Sequence, residues 1–269
     1  DLMALAEEVG TKCEIVKVEP ENLREQVEAA VKDGFDILAV WGGDGTIACA
    51  LETVGPKGPP ILPLPGGTMN LLHRRVHGVP EGTAIDWREC LRGAVDAGKI
   101  EPIGAGCVNR ERRFYVGAMF GELVGLSRAR EAIRDGRPIT AVEQAAEVGA
   151  FDLTTSLAFH ELHGEDIGME GVATALAAFV PEPGDARLDV GWIDPDNLAE
   201  LAGVGMEIAL GDWRLARGVE YHQWEALRIF HAKEDEIETT LDGEPLKLRS
   251  GSLIDFMPVA AHVLAAPGS

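Results

Sequence analysis

Basic side chains are scarce in this chain, and their scarcity excludes one class of partner. The 269 residues include 24 lysines and arginines against 45 aspartates and glutamates, which gives a formal charge of −21. A protein that binds nucleic acid needs a basic face to offset phosphate repulsion. We therefore expect no nucleic-acid partner.

Cysteine is also rare, and its placement is uninformative for the usual cysteine frameworks. The four cysteines are widely spaced and form no C-x-x-C pair: Cys13, Cys49, Cys90 and Cys107. This spacing suggests neither a zinc site nor a disulfide framework. A reducing, cytoplasmic setting fits it best.

Long apolar runs are missing as well. No run approaches the roughly 20 residues needed to span a bilayer, and we expect no signal peptide. Any membrane contact is therefore expected to be peripheral, at the inner membrane face. Of the 24 basic residues, 12 lie between Arg74 and Arg137. On one face they would attract anionic lipid head groups, but they could equally pair with the surrounding acidic residues.

The apolar content that is present predicts a folded α/β region at the start of the chain. Hydrophobic residues make up 46% of the sequence, which is typical of a soluble globular protein. Short apolar runs alternate with helical patterns up to residue 97, and such alternation predicts a parallel sheet covered on both faces. The predicted strands are 13–18, 37–41 and 61–64, and the predicted helices are 1–9, 20–32, 47–54, 71–77 and 84–97.

The pattern changes near residue 102 to short runs that alternate apolar and polar residues. These runs predict mostly antiparallel strands, interrupted by helices at 123–133 and 198–208. We therefore predict an α/β domain at 1–102, a β-rich domain at 103–256 and a final segment at 257–269. The strands predicted in the second domain are 104–108, 113–118, 151–158, 171–180, 187–193, 227–232, 237–241 and 253–256.

Two strand-to-turn corners in the first domain are built alike. The predicted strands 37–41 and 61–64 each lead into paired glycines and a threonine. Glycine lets a ligand approach without meeting a Cβ, and unpaired amides at the start of the next helix favour an anion. The sequence therefore predicts a phosphate-binding site made of Gly42, Gly43, Asp44, Gly45, Thr46, Gly66, Gly67, Thr68 and Asn70.

Either corner alone could be an ordinary α/β turn, because Gly-Asp-Gly is common at strand ends and Asn at helix caps. The two interpretations weigh about equally for one corner, and two matched corners favour phosphate binding. Asp44 cannot hold a phosphate directly, since a carboxylate beside phosphates works through Mg²⁺ or fixes the loop. The lysine motif of ordinary P-loop enzymes, G-x-x-x-x-G-K-[ST], is absent.

Three motifs in this order resemble a known family. They read Gly42-Gly43-Asp44-Gly45-Thr46, Pro65-Gly66-Gly67-Thr68-Met69-Asn70 and Leu241-Asp242-Gly243-Glu244-Pro245. The set is similar to the signature of the diacylglycerol kinase catalytic-domain family, which bacterial lipid kinases, sphingosine kinases and ceramide kinases share. The resemblance implies the NAD kinase/diacylglycerol kinase-like fold. That fold has an α/β N-terminal domain with a parallel sheet, a β-sandwich as its β-rich C-terminal domain, and a last segment that returns to the first domain.

The resemblance also implies an activity. It implies an ATP-dependent kinase that uses Mg²⁺ and transfers the γ-phosphoryl group to a hydroxyl of a lipid such as diacylglycerol. Glu244 is the implied base for the acceptor hydroxyl, and Asp242 is its nearest rival. Taken alone, however, Leu-Asp-Gly-Glu is more typical of a simple hairpin turn.

A second acidic pair, Asp185 and Asp189, lies where some members of that family hold a structural metal. By resemblance these two carboxylates are the candidate metal ligands. Ala186 stands where the family has glycine, however, so solvated turn carboxylates are the favoured interpretation.

Several alternatives stay open at this point. The related kinases place another strand and an Asn-Pro-x-Ser/Ala-Gly loop ahead of the first helix, and both are expected to be missing here. NAD kinases share the first corner but continue with Gly-x-Leu-Gly-Phe-Leu, which disfavours them. A catalytically silent nucleotide- or lipid-binding relative is a third reading. The sequence decides neither homodimer formation nor the identity of the acceptor lipid.

Overall fold

The computed structural model describes residues 12–80, 83–84, 86–121, 156–181, 185–194, 214 and 217–266. The chain divides into two compact units. The first runs up to Ala105 and resumes at Met257, and the second is Gly106–Phe256. The predicted changes fell at residues 102 and 257. The helices predicted at 1–9, 123–133 and 198–208 lie outside the described residues.

The first unit alternates helices and strands. In chain order its elements are α1 (Leu23–Asp33), β1 (Leu38–Gly42), α2 (Asp44–Val54), β2 (Ile61–Pro65), α3 (Leu71–His77) and α4 (Trp87–Ala97). Short 3₁₀ turns precede α1 and follow α2, at Pro20–Asn22 and Gly55–Lys57. The four predicted helices in this stretch are observed. The last begins at Trp87 rather than 84, because the Asp86 side chain accepts the amides of Arg88 and Glu89 and so caps it.

Strands β1 and β2 pair in parallel, from Leu38 opposite Ile61 to Gly42 opposite Pro65. Two further strands run from one unit into the other, β3 (Lys99–Val108) and β14 (Ser252–Ala265). In the first unit β14 lies parallel to β2, with Val263 opposite Ile61. The chain's final segment therefore adds a strand to this sheet.

Two prolines shape the side of β2 that faces away from β1. From Pro60 to Gly66, the backbone groups of the even-numbered residues point toward β1. The Leu38 amide, for example, donates to the Pro60 carbonyl. Pro63 and Pro65 are odd-numbered positions, like Ile61, which pairs with β14. Since proline has no N–H, this side of β2 offers no backbone donor beyond Ile61.

The strand predicted at 13–18 is wrong. Residues 12–18 form no regular secondary structure, and Ile15 and Val16 are 51% and 56% exposed. Apolar alternation stabilises a strand only when a neighbour supplies hydrogen bonds and a covering face. Within the described part of the chain no strand pairs with this stretch.

The second unit consists of antiparallel sheets. Its strands are β4 (Arg112–Phe114), β5 (Gly117–Gly121), β6 (Leu157–His163), β7 (Asp166–Ala173), β8 (Ala175–Phe179), β9 (Leu188–Ile193), β10 (Glu220–Trp224), β11 (Ala226–His231), β12 (Glu236–Leu241) and β13 (Glu244–Arg249). One sheet has the strand order β10-β9-β8-β5-β12-β13, and the other contains β14, β11, β6 and β7 in that order, with β4 beside β3.

The core of the second unit lies between its two sheets. Phe114 and Phe159 from one sheet and Phe120 from the other are fully buried in a single apolar cluster. Two sheets packed face to face through such a core form a β-sandwich. The predicted fold class is confirmed, with a parallel sheet in the first unit and a β-rich second unit.

Several strand predictions in this unit were imprecise. The run 171–180 was predicted as one strand, but it divides at Thr174 into β7 and β8, which belong to different sheets. Thr174 fixes this switch, since its amide donates to the Ile193 carbonyl and its hydroxyl to Asp194. The sequence analysis missed β10 and β13. No helix in the described residues has the length and hydropathy needed to cross a bilayer.

Candidate functional site

The two glycine corners lie side by side at the carboxyl ends of β1 and β2. Gly42 ends β1 opposite Pro65, and the amide of Gly66 donates to the carbonyl of Gly42 at 2.9 Å. Ligands of open parallel sheets bind beyond this end of the strands. The sheet register thus brings together the two motifs that the sequence singled out.

Close packing of the two corners requires glycine. A Cβ built on Gly67 would lie 2.6 Å from the Cα of Gly43, and one on Gly66 would lie 2.9 Å from the Cα of Gly42. Backbone atoms cannot move aside as a flexible side chain can. At Gly66 and Gly67 the absence of a side chain is therefore explained by contact between the corners themselves.

The first corner begins a helix whose first turn is not capped by a side chain. Gly43 is the N-cap of α2, with extended backbone at φ −78° and ψ 177°, and no side chain accepts from the first turn. The first intrahelical bond runs from the Ile47 amide to the Gly43 carbonyl at 3.1 Å. The amides of residues 44–46 precede that bond, and such amides carry the partial positive charge that attracts anions.

The second corner is closed by the protein itself. The carboxamide of Asn70 accepts from the Gly67 amide and donates to the Gly67 carbonyl, both at 2.8 Å. Asn70 holds left-handed backbone, φ 53° and ψ 42°, which asparagine tolerates better than most residues. Asn70 therefore shapes the turn, and its contact with a nucleotide stays a prediction.

Asp44 connects the two corners. One carboxylate oxygen accepts the amide of Leu72, in the first turn of α3, at 2.8 Å. The carboxylate therefore holds the helix that follows the second corner to the start of α2. Its other oxygen has no hydrogen-bond partner within the described part of the chain. Of the two roles expected for Asp44, fixing the loop is observed.

The two threonines of the corners differ in exposure. Thr46 is half-buried, and its side chain lies against Gly42, where an added Cβ would come within 2.5 Å of it. Thr68 is exposed. Neither hydroxyl makes a hydrogen bond within the described residues, so both remain available to a ligand.

Sequence reasoning missed an aromatic pair beside the corners. Trp41, directly before Gly42, is 48% exposed, and its indole N–H donates to the Pro65 carbonyl at 2.8 Å. Its ring lies 4.7 Å from that of Trp87, over which the Arg88 guanidinium sits at 4.4 Å. A tryptophan at the last position before a glycine corner was the available signal.

In the second unit, the two-residue hairpin turn Asp242-Gly243 joins β12 to β13, and Glu244 is the first residue of β13. Leu241 lies opposite Glu244 across the turn, and Asp242 and Gly243 have positive φ, 48° and 90°. Positive φ at both central positions is the requirement of the tight turns that join antiparallel strands. The hairpin interpretation of this motif is therefore correct, and it leaves the chemical interpretation open.

The two carboxylates of this turn have different surroundings. Asp242 accepts three backbone amides, from Tyr115 at 2.7 Å, Val116 at 2.8 Å and Gly117 at 3.0 Å. Glu244 is exposed, and its side chain makes no hydrogen bond or ion pair with a described residue. Asp242 therefore anchors the turn to the connection between β4 and β5, whereas Glu244 is available to another molecule.

The two carboxylates of the acidic pair Asp185 and Asp189 differ in burial and in hydrogen bonding. Asp189 is 2% exposed and accepts hydrogen bonds from Arg214 at 2.6 Å, Tyr221 at 2.7 Å and Gln223 at 3.0 Å. Burial alone would raise the pKa of Asp189, but these donors outweigh it and lower the pKa. Asp185 is exposed. The expectation of solvated carboxylates holds for Asp185 alone, and Asp189 instead joins an internal network.

Comparison with known proteins bears directly on the first unit. Residues 1–101 match the family model of the diacylglycerol kinase catalytic domain. The resemblance carried by the motifs is confirmed. A curated relative is the diacylglycerol kinase of Staphylococcus aureus strain JH9. It is 24% identical over 237 residues, which cover 81% of this chain and 71% of that protein.

Solved structures extend the likeness to both units. The structure of a diacylglycerol kinase from Bacillus anthracis str. Sterne is 14% identical, with a TM-score of 0.65 over 100% of this chain and 92% of that one. An NAD kinase from Archaeoglobus fulgidus in complex with ATP is 13% identical, with a TM-score of 0.56 over 98% of this chain and 88% of that one. At these identities the likeness establishes the fold.

Proposed function

We propose that this chain is an ATP-dependent lipid kinase that transfers the γ-phosphoryl group to a lipid hydroxyl, with a diacylglycerol-like acceptor. The match of residues 1–101 to the diacylglycerol kinase catalytic domain supports the reaction class. The name of the S. aureus relative supports the acceptor. In this proposal the protein is cytoplasmic and meets its lipid through peripheral contact with the inner membrane face.

One observation carries the proposal. The first turn of α2 has no side-chain cap, and it stands directly against the second corner through the contact between Gly43 and Gly67. The amides of residues 44–46 would hold the phosphates of ATP there, since they lack intrahelical partners. The hydroxyls of Thr46 and Thr68 would add donors.

Mg²⁺ fits this corner because Asp44 has one carboxylate oxygen without a hydrogen bond to a described residue. That oxygen and the phosphate oxygens are the hard ligands Mg²⁺ prefers. Bound there, the ion would neutralise charge on the phosphates during transfer. Asp44 itself would keep its hydrogen bond to the Leu72 amide, so the same side chain would position α3 and hold the ion.

Glu244 is proposed as the base that takes the proton of the acceptor hydroxyl. A base must have a free lone pair and reach its substrate. The carboxylate of Glu244 is exposed and makes no hydrogen bond with a described residue, whereas the oxygens of Asp242 already accept three amides. Asp242 would then be a positioning residue that fixes the turn.

The decisive experiment measures transfer of the ATP γ-phosphate to diacylglycerol in mixed micelles, with NAD and a panel of lipid extracts assayed in parallel. We expect a phosphorylated lipid and no NADP. Phosphorylation of NAD would instead identify an NAD kinase. Binding of ATP with no phosphorylated acceptor would indicate a catalytically silent relative, and either result would overturn the proposal.

Substitutions in the hairpin turn test the assignment of roles. Glu244→Gln keeps size and exposure, so we expect kcat to fall roughly 100-fold or more while ATP affinity and unfolding stability stay unchanged. Asp242→Asn is the matched control. It places an NH₂ group among amide donors, so we expect a loss of stability of about 1–3 kcal/mol together with lower activity. Wild-type kcat in the Glu244 variant would exclude it as the base.

A further inference from the structure

A cluster of metal-ligand side chains lies in the first unit, away from the glycine corners. Helix α3 contributes His73 and His77, and α4 contributes Cys90. One ring nitrogen of each histidine and the sulfur of Cys90 all lie within 4.8 Å of one another. Histidines four residues apart share one face of a helix, a spacing that recurs in zinc sites.

The ring of His73 supplies an independent observation. His73 is fully buried, and its Nδ1 donates to the carbonyl of Pro63 at 2.9 Å. Nε2 therefore carries the lone pair, and it has no hydrogen-bond partner among the described residues. A buried acceptor without a partner destabilises the fold, because it has lost its hydrogen bond to water and gained none in return. This nitrogen is buried and unpaired, on a ring whose centroid lies 4.6 Å from that of the His77 ring.

Hydrogen bonding explains the other three ring nitrogens. His77 Nε2 donates to the same Pro63 carbonyl at 3.0 Å, and its Nδ1 accepts the Ala266 amide at 3.0 Å. Together the two histidines satisfy the carbonyl that β14 leaves unpaired. That structural role needs both Nδ1 of His73 and Nε2 of His77, but it gives no account of Nε2 of His73.

We propose that His73, His77 and Cys90 form a binding site for one borderline-soft transition-metal cation, for which Zn²⁺ is the best match. Two imidazoles and a thiolate are typical ligands of Zn²⁺, whereas Mg²⁺ and Ca²⁺ prefer oxygen. The fourth tetrahedral position would hold water. Ligand atoms around a tetrahedral Zn²⁺ lie roughly 3.3–3.8 Å apart, so the widest pair must close by about 1 Å.

The protonation state of His77 suits this role. Burial, the largest cause, lowers its pKa to about 4, so the ring is neutral at physiological pH. Burial also lowers the pKa of His73. Burial raises the pKa of the half-buried Cys90 thiol to about 11, so the cation must displace this proton to water when it binds.

Metal binding has a predictable effect on the final segment of the chain. A neutral imidazole that holds a metal through one nitrogen carries its proton on the other. Whichever nitrogen His77 used, it could no longer accept the Ala266 amide. Ala266 directly follows β14, so a cation in the site would break the hydrogen bond that joins the end of this segment to His77.

The test uses the full chain, stripped of metal and then titrated with Zn²⁺ against a chelator, and separately with Co²⁺. We expect one cation per chain and, with Co²⁺, the near-ultraviolet charge-transfer absorption that requires a bound thiolate. Cys90→Ser should abolish that absorption and weaken Zn²⁺ binding about 100-fold. Cys49→Ser, a change at the half-buried cysteine of α2, is the matched control and should bind as wild type.

A histidine variant and hydrogen exchange at Ala266 test the site in two further ways. His73→Asn, whose side-chain NH₂ can replace Nδ1 as the donor to the Pro63 carbonyl, should lose Zn²⁺ binding while its metal-free unfolding midpoint stays near that of the wild type. Hydrogen exchange at the Ala266 amide should become faster when Zn²⁺ is added to the wild type, and should not respond in Cys90→Ser. Failure of the wild type to bind either cation, or equal loss in Cys49→Ser, would overturn the site.

Discussion

The two glycine corners have nearly the same sequence pattern and opposite hydrogen-bonding states. Both follow a strand of the parallel sheet, and both contain paired glycines and a threonine. At the first, no side chain caps the opening turn of α2. At the second, the amides of Gly66 and Gly67 are already taken by the Gly42 carbonyl and the Asn70 carboxamide. Among the described residues, the amides that open α2 therefore have no side-chain acceptor, whereas the amides of the second corner bond within the protein.

The difference arises from the residue that precedes each helix. Gly43 has extended backbone and no side chain, so nothing folds back over the amides of α2. Asn70 has left-handed backbone, which brings its carboxamide onto Gly67. Matching motifs at matching positions in a sheet can therefore differ in hydrogen bonding, and here the residue before each helix makes the difference.

The largest effect is expected from Gly67→Ala. Its Cβ would lie 2.6 Å from the Cα of Gly43, and no rotamer change relieves a clash with backbone. We expect a loss of about 3 kcal/mol in the free energy of unfolding, measured with denaturant. At Gly43 the corresponding Cβ has its nearest neighbour at 3.4 Å. Gly43→Ala should therefore cost less than about 1 kcal/mol, and equal losses would show that the corners do not pack as described.

A smaller effect is expected from Asn70→Ala. This change removes two hydrogen bonds to Gly67 and leaves alanine at a positive φ, so we expect a loss of about 2 kcal/mol in unfolding free energy. Asn70→Gly keeps the backbone conformation accessible and should recover about 1 kcal/mol of that loss. If ATP binding fell in both variants by more than their lost stability explains, Asn70 would contact the nucleotide after all.

The smallest effect on stability is expected from Asp44→Asn. An asparagine oxygen can still accept the Leu72 amide, so unfolding free energy should change by less than about 1 kcal/mol. Kinase turnover should nevertheless fall at least tenfold, since the charge proposed to hold Mg²⁺ is gone. Asp44→Ala, which loses the hydrogen bond too, separates the two contributions. Unchanged turnover in Asp44→Asn would leave Asp44 with its structural role alone.

The sequence predicted the parts of the site that depend on strand order. Apolar runs that alternate with helices place neighbouring strand ends at one edge of the sheet, so the proximity of residues 42–46 and 66–70 followed from the pattern. The sequence could not predict hydrogen bonds between side chains and backbone groups that are distant along the chain. The bond from Asp44 to Leu72 and the three amides on Asp242 depend on the mutual position of elements that periodicity does not specify.

The failures have the same physical origin. Residues 13–18 have a strand's alternation but no described strand beside them, and a strand needs a partner. The run 171–180 has continuous strand character, yet Thr174 passes the chain from one sheet to the other. The cysteine spacing gave no sign that Cys90 lies near two histidines, because Cys90 and the histidines come from separate helices. Pairing and proximity are tertiary properties, which local pattern reports only indirectly.

The prolines of β2 have a consequence for protein synthesis. The strand that covers this side of β2 is the return segment, which leaves the ribosome roughly 200 residues later, on the order of 10–40 s at usual elongation rates. An uncovered strand edge is a template for aggregation during that time. Because Pro63 and Pro65 offer no N–H, a foreign strand finds almost nothing to pair with there. This edge of the nascent chain therefore resists pairing with other chains until β14 has been synthesised.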